Sequence, residues 1–161
     1  MKRPTKLWRF ATSNRALGLR HQALVWVAAA WWASLTMLGF VVVPLLFVYL
    51  PTPAMAGTMA GNLFSAQTWI SMVCAVVLLA LHTPPGLPAT AWRLALLVLG
   101  LVCAVAAEWI AAPHIVARDN LALWHRLGSG MYLVQWLCAI AVFQGLLRRA
   151  PQEQSAASAQ V

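Results

Sequence analysis

Acidic residues are nearly missing from this sequence. Three Asp and Glu stand among 161 residues, and all formally charged residues together make up 9%. A water-soluble domain carries roughly 25% charge, so this chain lacks the surface of one. The same shortage, beside 62% hydrophobic residues, excludes a disordered chain, which needs charge and polarity to stay unfolded. Cysteine is sparse: Cys74, Cys103 and Cys138 are far apart, which excludes a disulfide-built secreted scaffold and a paired-Cys zinc motif. No Gly-rich phosphate loop and no nucleophile elbow occurs. Nothing in the residues points to an enzyme.

What the sequence has in quantity is uninterrupted apolar chain. Between Arg20 and Arg93 lie 72 residues without a formal charge. A spanning helix needs ~20 mostly apolar residues, and in lipid every backbone amide must be satisfied within the segment or a closed barrel. Barrel strands alternate over ~10 residues, whereas runs such as Val76 to Leu81 and Leu94 to Leu101 are continuous. The expectation is an all-α integral membrane four-helix bundle. Its spans are expected at about 23–50, 63–82, 90–112 and 124–147. Pro51 and Pro53, Pro84 and Pro85, Pro113, and Arg148-Arg149 mark their ends. The first span is long enough to tilt or kink, and Pro44 supplies the cause, because its ring forbids the bond to the Phe40 carbonyl. The outer turns beyond it are expected to splay. Ala54-Met55-Ala56 resembles a cleavage triplet, but the apolar run before it is about twice a signal-peptide core of ~7–15 residues. It is read as a retained helix. No internal repeat is evident.

Cations set the orientation. Lys2, Arg3, Lys6, Arg9, Arg15, Arg20, Arg93, Arg148 and Arg149 fall on one side, and only Arg118 and Arg126 on the other. By the positive-inside bias both termini are cytoplasmic. Residues 1–22 then form a basic cytoplasmic segment drawn to anionic lipid, and 148–161 a disordered cytoplasmic tail. The basic arm borders a span, so a nucleic-acid partner is not expected. Membrane lipids are the expected partners, with a homo-oligomer or other membrane proteins beside them.

Polar residues inside spans are expensive and often functional. Glu108 lies near the outer end of the third span, at the height of Arg118, Asp119, His125 and Arg126. It reads as a solvated interfacial carboxylate, as an ion pair with Arg126 or Arg118, or as a proton or cation site. His21 and His82 lie at inner span ends, His114 and His125 at outer ones. Paired histidines across a bundle can hold haem iron, which makes His114 and His125 an alternative haem b or copper site. Cys74, Cys103, Cys138 and Met37 fall at one depth and raise a Cu(I) reading beside plain packing. Gly57 and Gly61 form a small-residue pair expected to pack helix on helix; Ala29 and Ala33, and Gly128 and Gly130, are similar. Gln67, Gln135 and Gln144 are candidates for bonds between helices. Trp8, Trp69, Trp92, Trp109 and Trp124 read as interface anchors.

The stretch from Trp31 through Pro44-Leu45-Leu46-Phe47, the Ala56 to Phe64 segment, Ala112-Pro113-His114-Ile115, Leu121 to His125 and Tyr132 to Gln135 together resemble the transmembrane-protein-205-like family, a bacterial domain of unknown function. The resemblance spans roughly 24–147. It implies four membrane helices and no established enzymatic activity, and it gives His125 the place of the family's histidine. The Gly and Ser of the family's Leu-His-Gly-x-Ser-like motif are replaced here by Arg126 and Gly128. More distantly, Pro44 to Tyr49 is similar to copper resistance protein D and HemJ-type membrane proteins. Their first-helix histidine is replaced by apolar residues around Leu24 and Val25. The reading is a non-enzymatic, multi-pass protein of the bacterial inner membrane with a helper, transport or stress-tolerance role. The residues of interest are Glu108, His125, Arg126 and Arg118, with Pro44, Gly57, Gly61 and Pro113 as structural determinants.

Overall fold

The computed structural model describes residues 6–82 and 91–148, with side chains from 18 to 81 and from 91 onward. Residues 1–5, the side chains of 6–17, the Pro84-Pro85 stop, the His82 side chain and nearly all of the tail lie outside that description. Among the described residues all regular structure is helical. Helix α1 runs Lys6–Met37, a π turn (π1) covers Leu38–Val42, and α2 covers Val43–Tyr49. Helix α3 is Pro53–His82. Helix α4 is Ala91–Ala106, followed by a second π turn (π2) at Ala107–Ala111 and by α5 at Ala112–Val116. Helix α6 is Leu121–Leu147. Four stretches are long and apolar enough to cross a membrane: Gly18–Tyr49, Pro53–Leu81, Ala91–Val116 and Leu121–Leu147. They are spans 1 to 4 below.

Each span packs on its neighbours in the chain, and span 4 closes back onto span 1. The outward surface is oil-like: Trp26, Val48, Val73 and Val102 are all exposed. Such an exterior suits lipid and would aggregate in water. The core is formed by Leu24, Ala28, Trp31, Leu35, Leu78, Leu97, Ala139, Val142 and Leu146. Trp31 is wholly enclosed, and its ring lies against Gly100, where a Cβ would come within 3.0 Å of it.

The clearest differences from the sequence expectation are two boundaries and the course of span 1 beyond Pro44. Span 2 begins ten residues early, at Pro53 rather than at 63. Thr52 is its N-cap: its Oγ1 accepts the Met55 N–H at 3.2 Å, and Pro at the first helical position loses no bond the helix needs. Thr-Pro is thus a start signal here as well as a stop. Span 3 does not stop at Pro113 but continues to Val116. Pro44 likewise interrupts span 1 without ending it, and α2 stays packed on α3 rather than splaying away. The two prolines are accommodated alike. Each follows a π turn, in which Val43 N–H reaches Leu38 O and Ala112 N–H reaches Ala107 O, five residues back. The wider turn moves the carbonyl that the proline ring would strike.

Candidate functional site

The end of spans 3 and 4 around their connecting turn gathers most of the singled-out residues. Glu108 is half-buried on π2. It pairs with neither Arg118 nor Arg126: the ion pair among the described residues joins His114 Nδ1 to Asp119 Oδ2 at 3.3 Å. The reason is helical phase. Arg126 projects from the exposed face of α6, and Arg118 sits exposed in the connecting turn. That turn is tight, and Arg118 (φ 56°) and Asn120 (φ 43°) both adopt left-handed backbone, a conformation that costs a non-glycine residue ~1 kcal/mol or more.

His114 and His125 differ in their surroundings. The His114 ring stacks flat on Trp124, 4.1 Å between centroids and 5° between planes, and its Nδ1 faces Asp119. His125 is exposed on the next position of the helix. Among the described residues no three His, Cys, Asp or Glu side chains gather as a metal-holding group, and this includes the three cysteines. Met37 faces outward. At the other end of span 1, His21 Nε2 is enclosed without a hydrogen-bond partner.

The Gly57–Gly61 pair also faces away from the bundle. Nothing lies within 4 Å of a Cβ placed at either glycine, while Ala56 and Ala60, one position back, are the buried residues. Their expected packing between spans is therefore not found within the chain. Gly128 does pack, on Ala111 and Ile115; Gly130 is open. Trp69, deep in α3 rather than at its end, meets Trp109 edge to face at 6.2 Å.

Deeper in the bundle lies a polar belt. Gln67 is buried, and its Nε2 donates to Ser34 Oγ at 3.0 Å and to Ser71 Oγ at 3.3 Å. Gln135 Nε2 donates to Gly100 O at 3.3 Å. These two of the three expected glutamines cross between helices; Gln144 is exposed. Trp136 Nε1 donates to Thr36 Oγ1 at 2.8 Å, and Thr36 in turn bonds Trp32 O. The Tyr132 hydroxyl donates to Leu35 O at 2.7 Å, and the Gly39 N–H faces the Tyr132 hydroxyl oxygen. It thus enters span 1 at the carbonyl and amide that an uninterrupted α-helix would join, at the start of π1. Side-chain insertion of this kind is one of the few causes of a broken helical ladder.

Sequence reasoning missed Tyr132, Ser34 and Thr36. The available signal was that each is a polar residue inside a long apolar run. It also treated Arg93 as a flanking topology signal. Arg93 is only 4% exposed. Its Nη2 donates to Gly145 O at 2.6 Å, one of the last-turn carbonyls of α6 that the helix itself leaves without a donor, and Trp92 covers Gly145 so closely that a Cβ there would meet it at 2.6 Å. A cation at a helix C-terminus is favoured by the helix dipole.

A family model described as a domain of unknown function (DUF4149) matches residues 26–123. This agrees with the expected domain of unknown function. It supports neither the likeness to the transmembrane-protein-205-like family nor that to copper resistance protein D and HemJ-type proteins. No curated protein and no solved structure matches the chain. The matched stretch holds both π turns and Glu108, and leaves out Tyr132 and Gln135.

Proposed function

The chain belongs to the DUF4149 family, a domain of unknown function, and from that premise we propose a non-enzymatic membrane protein that works through Glu108. It is a multi-pass protein of the bacterial inner membrane with both termini cytoplasmic, and its role is transport or a related helper or stress-tolerance activity. Glu108 carries the reading. It is a half-buried carboxylate in a π turn of a spanning helix, and neither outer arginine neutralises it. Ionisable groups in spans mark proton and ion pathways, and π turns recur at functional sites. Such a carboxylate binds a proton or a monovalent cation and releases it again. The basic N-terminal residues hold the inner end against anionic lipid.

The test is flux. Protein reconstituted in vesicles holding a pH-sensitive dye is expected to dissipate an imposed proton or potassium gradient faster than empty vesicles do, and Glu108→Gln is expected to remove the excess. Wild-type vesicles no leakier than empty ones would overturn the transport reading. Reporter tags on the two tails test the orientation: both must report the cytoplasm.

A further inference from the structure

We infer that the chain is an internal repeat of one helical hairpin: spans 1 and 2 form the first copy, spans 3 and 4 the second, and a pseudo-twofold axis along the bundle relates them. Repeats about an axis along the membrane normal are a known construction of membrane proteins. The two first helices correspond at a shift of 69 residues. At that shift π1 (Leu38–Val42) falls on π2 (Ala107–Ala111) residue for residue, and Pro44 on Pro113. The buried positions coincide as well: Leu24 with Arg93, Ala28 with Leu97, Trp31 with Gly100 and Leu35 with Ala104. The two second helices correspond at a shift of 68. There the helix starts coincide, Pro53 with Leu121. Three buried pairs coincide here, Gln67 with Gln135, Ser71 with Ala139 and Leu78 with Leu146, whereas buried Cys138 falls on the exposed Ile70.

Contacts locate the axis. A residue that touches its own counterpart must lie beside the axis, because the rotation carries each onto the other. Trp31 rests on Gly100, and Phe64 meets Tyr132 edge to face at 5.1 Å; both are counterpart pairs. The polar belt repeats too. Gln135 bonds the carbonyl of Gly100 directly, while Gln67 reaches Ser34, whose hydroxyl donates to the carbonyl of Trp31, the counterpart of Gly100. Side-chain sizes at counterpart positions of the first helices are complementary: Ala28 and Leu97, Trp31 and Gly100, Leu35 and Ala104. Similarity fails in residue identity, so the repeat does not read out of the sequence.

The copies are unequal at the π turns. In the first, Gly39 leaves room for the Tyr132 hydroxyl. In the second, the counterpart of Gly39 is Glu108 and that of Tyr132 is Phe64, which has no hydroxyl. On the reading of Glu108 given above, the second copy is the one made for proton or cation exchange and the first is its fixed counterpart.

Exchange mutations on the full chain test this, read by melting temperature in detergent. Ala28→Leu and Leu97→Ala alone should each lower it, Trp31→Gly and Gly100→Trp more so, by roughly 10 °C or more for the largest changes. Each double exchange should recover at least half of the summed loss of its two single changes. Losses that simply add would overturn the repeat; should the Trp31 variants not fold, the Ala28–Leu97 pair decides. Phe64→Tyr with Glu108→Gly copies the first π turn into the second. It should melt within a few degrees of wild type and lose the vesicle flux. A collapse in stability counts against the repeat. Retained flux with intact stability counts against Glu108 alone and leaves the repeat standing.

Discussion

The two π turns are the same backbone device with different contents. Both precede a proline by the same spacing, both end in an amide that reaches five residues back, and both lie in the second half of a span. Around π1 the space is filled by a neighbouring residue: the Tyr132 ring occupies the place a Gly39 Cβ would take, and its hydroxyl bonds Leu35 O. Around π2 the equivalent position carries a carboxylate of its own. A proline in a membrane helix therefore needs a widened turn, and what enters that turn is a separate choice, structural in one span and ionisable in the other.

Three substitutions sharpen or break this contrast. The largest effect is expected for Gly39→Ala. Its Cβ would stand 2.5 Å from Tyr132 Cε1, so the ring must leave, and overpacking of this kind costs about 1–3 kcal/mol; thermal unfolding in detergent measures it. Tyr132→Phe keeps the ring and removes only the hydroxyl bond, with an expected loss of about 1 kcal/mol and π1 retained through Pro44. A loss as large as that of Gly39→Ala would mean that the hydroxyl, not the proline, makes the turn. The smallest effect is expected for Gly57→Ala. That position is open, and alanine is a better helix former than glycine by up to about 1 kcal/mol, so the melting temperature should hold or rise slightly. A marked fall would mean that a second molecule packs there, and chemical crosslinking of the wild type would then show it.

Much of the fold was legible and rather little of the site. The 72-residue stretch without charge announces lipid by itself, because the cost of a charge there is so high. Boundaries were less legible. Pro113 reads as a stop by its missing N–H, yet the helix passes it, since a π turn removes the clash and composition does not encode a turn type. Thr52-Pro53 was a legible cap that a breaker reading obscured. Glu108, Arg126 and Arg118 share a depth in the sequence, but contact depends on angle around the helix, which hydropathy does not fix in a segment apolar on every side. Gly57 and Gly61 failed for the same reason: spacing put both on one face without saying which way that face turned.

The sequence alone decided that this chain lives in a bilayer as helices. Backbone amides in hydrocarbon have no other partner than their own helix, so long apolar runs leave a single outcome. Only the tertiary structure decided that Arg93 caps the end of α6, that Tyr132 enters π1, that Gln67 and Ser34 meet, and that two unlike hairpins fold as counterparts. Those outcomes depend on how each helix is rotated about its own axis, and rotation is set by the interlocking of large and small side chains across the bundle.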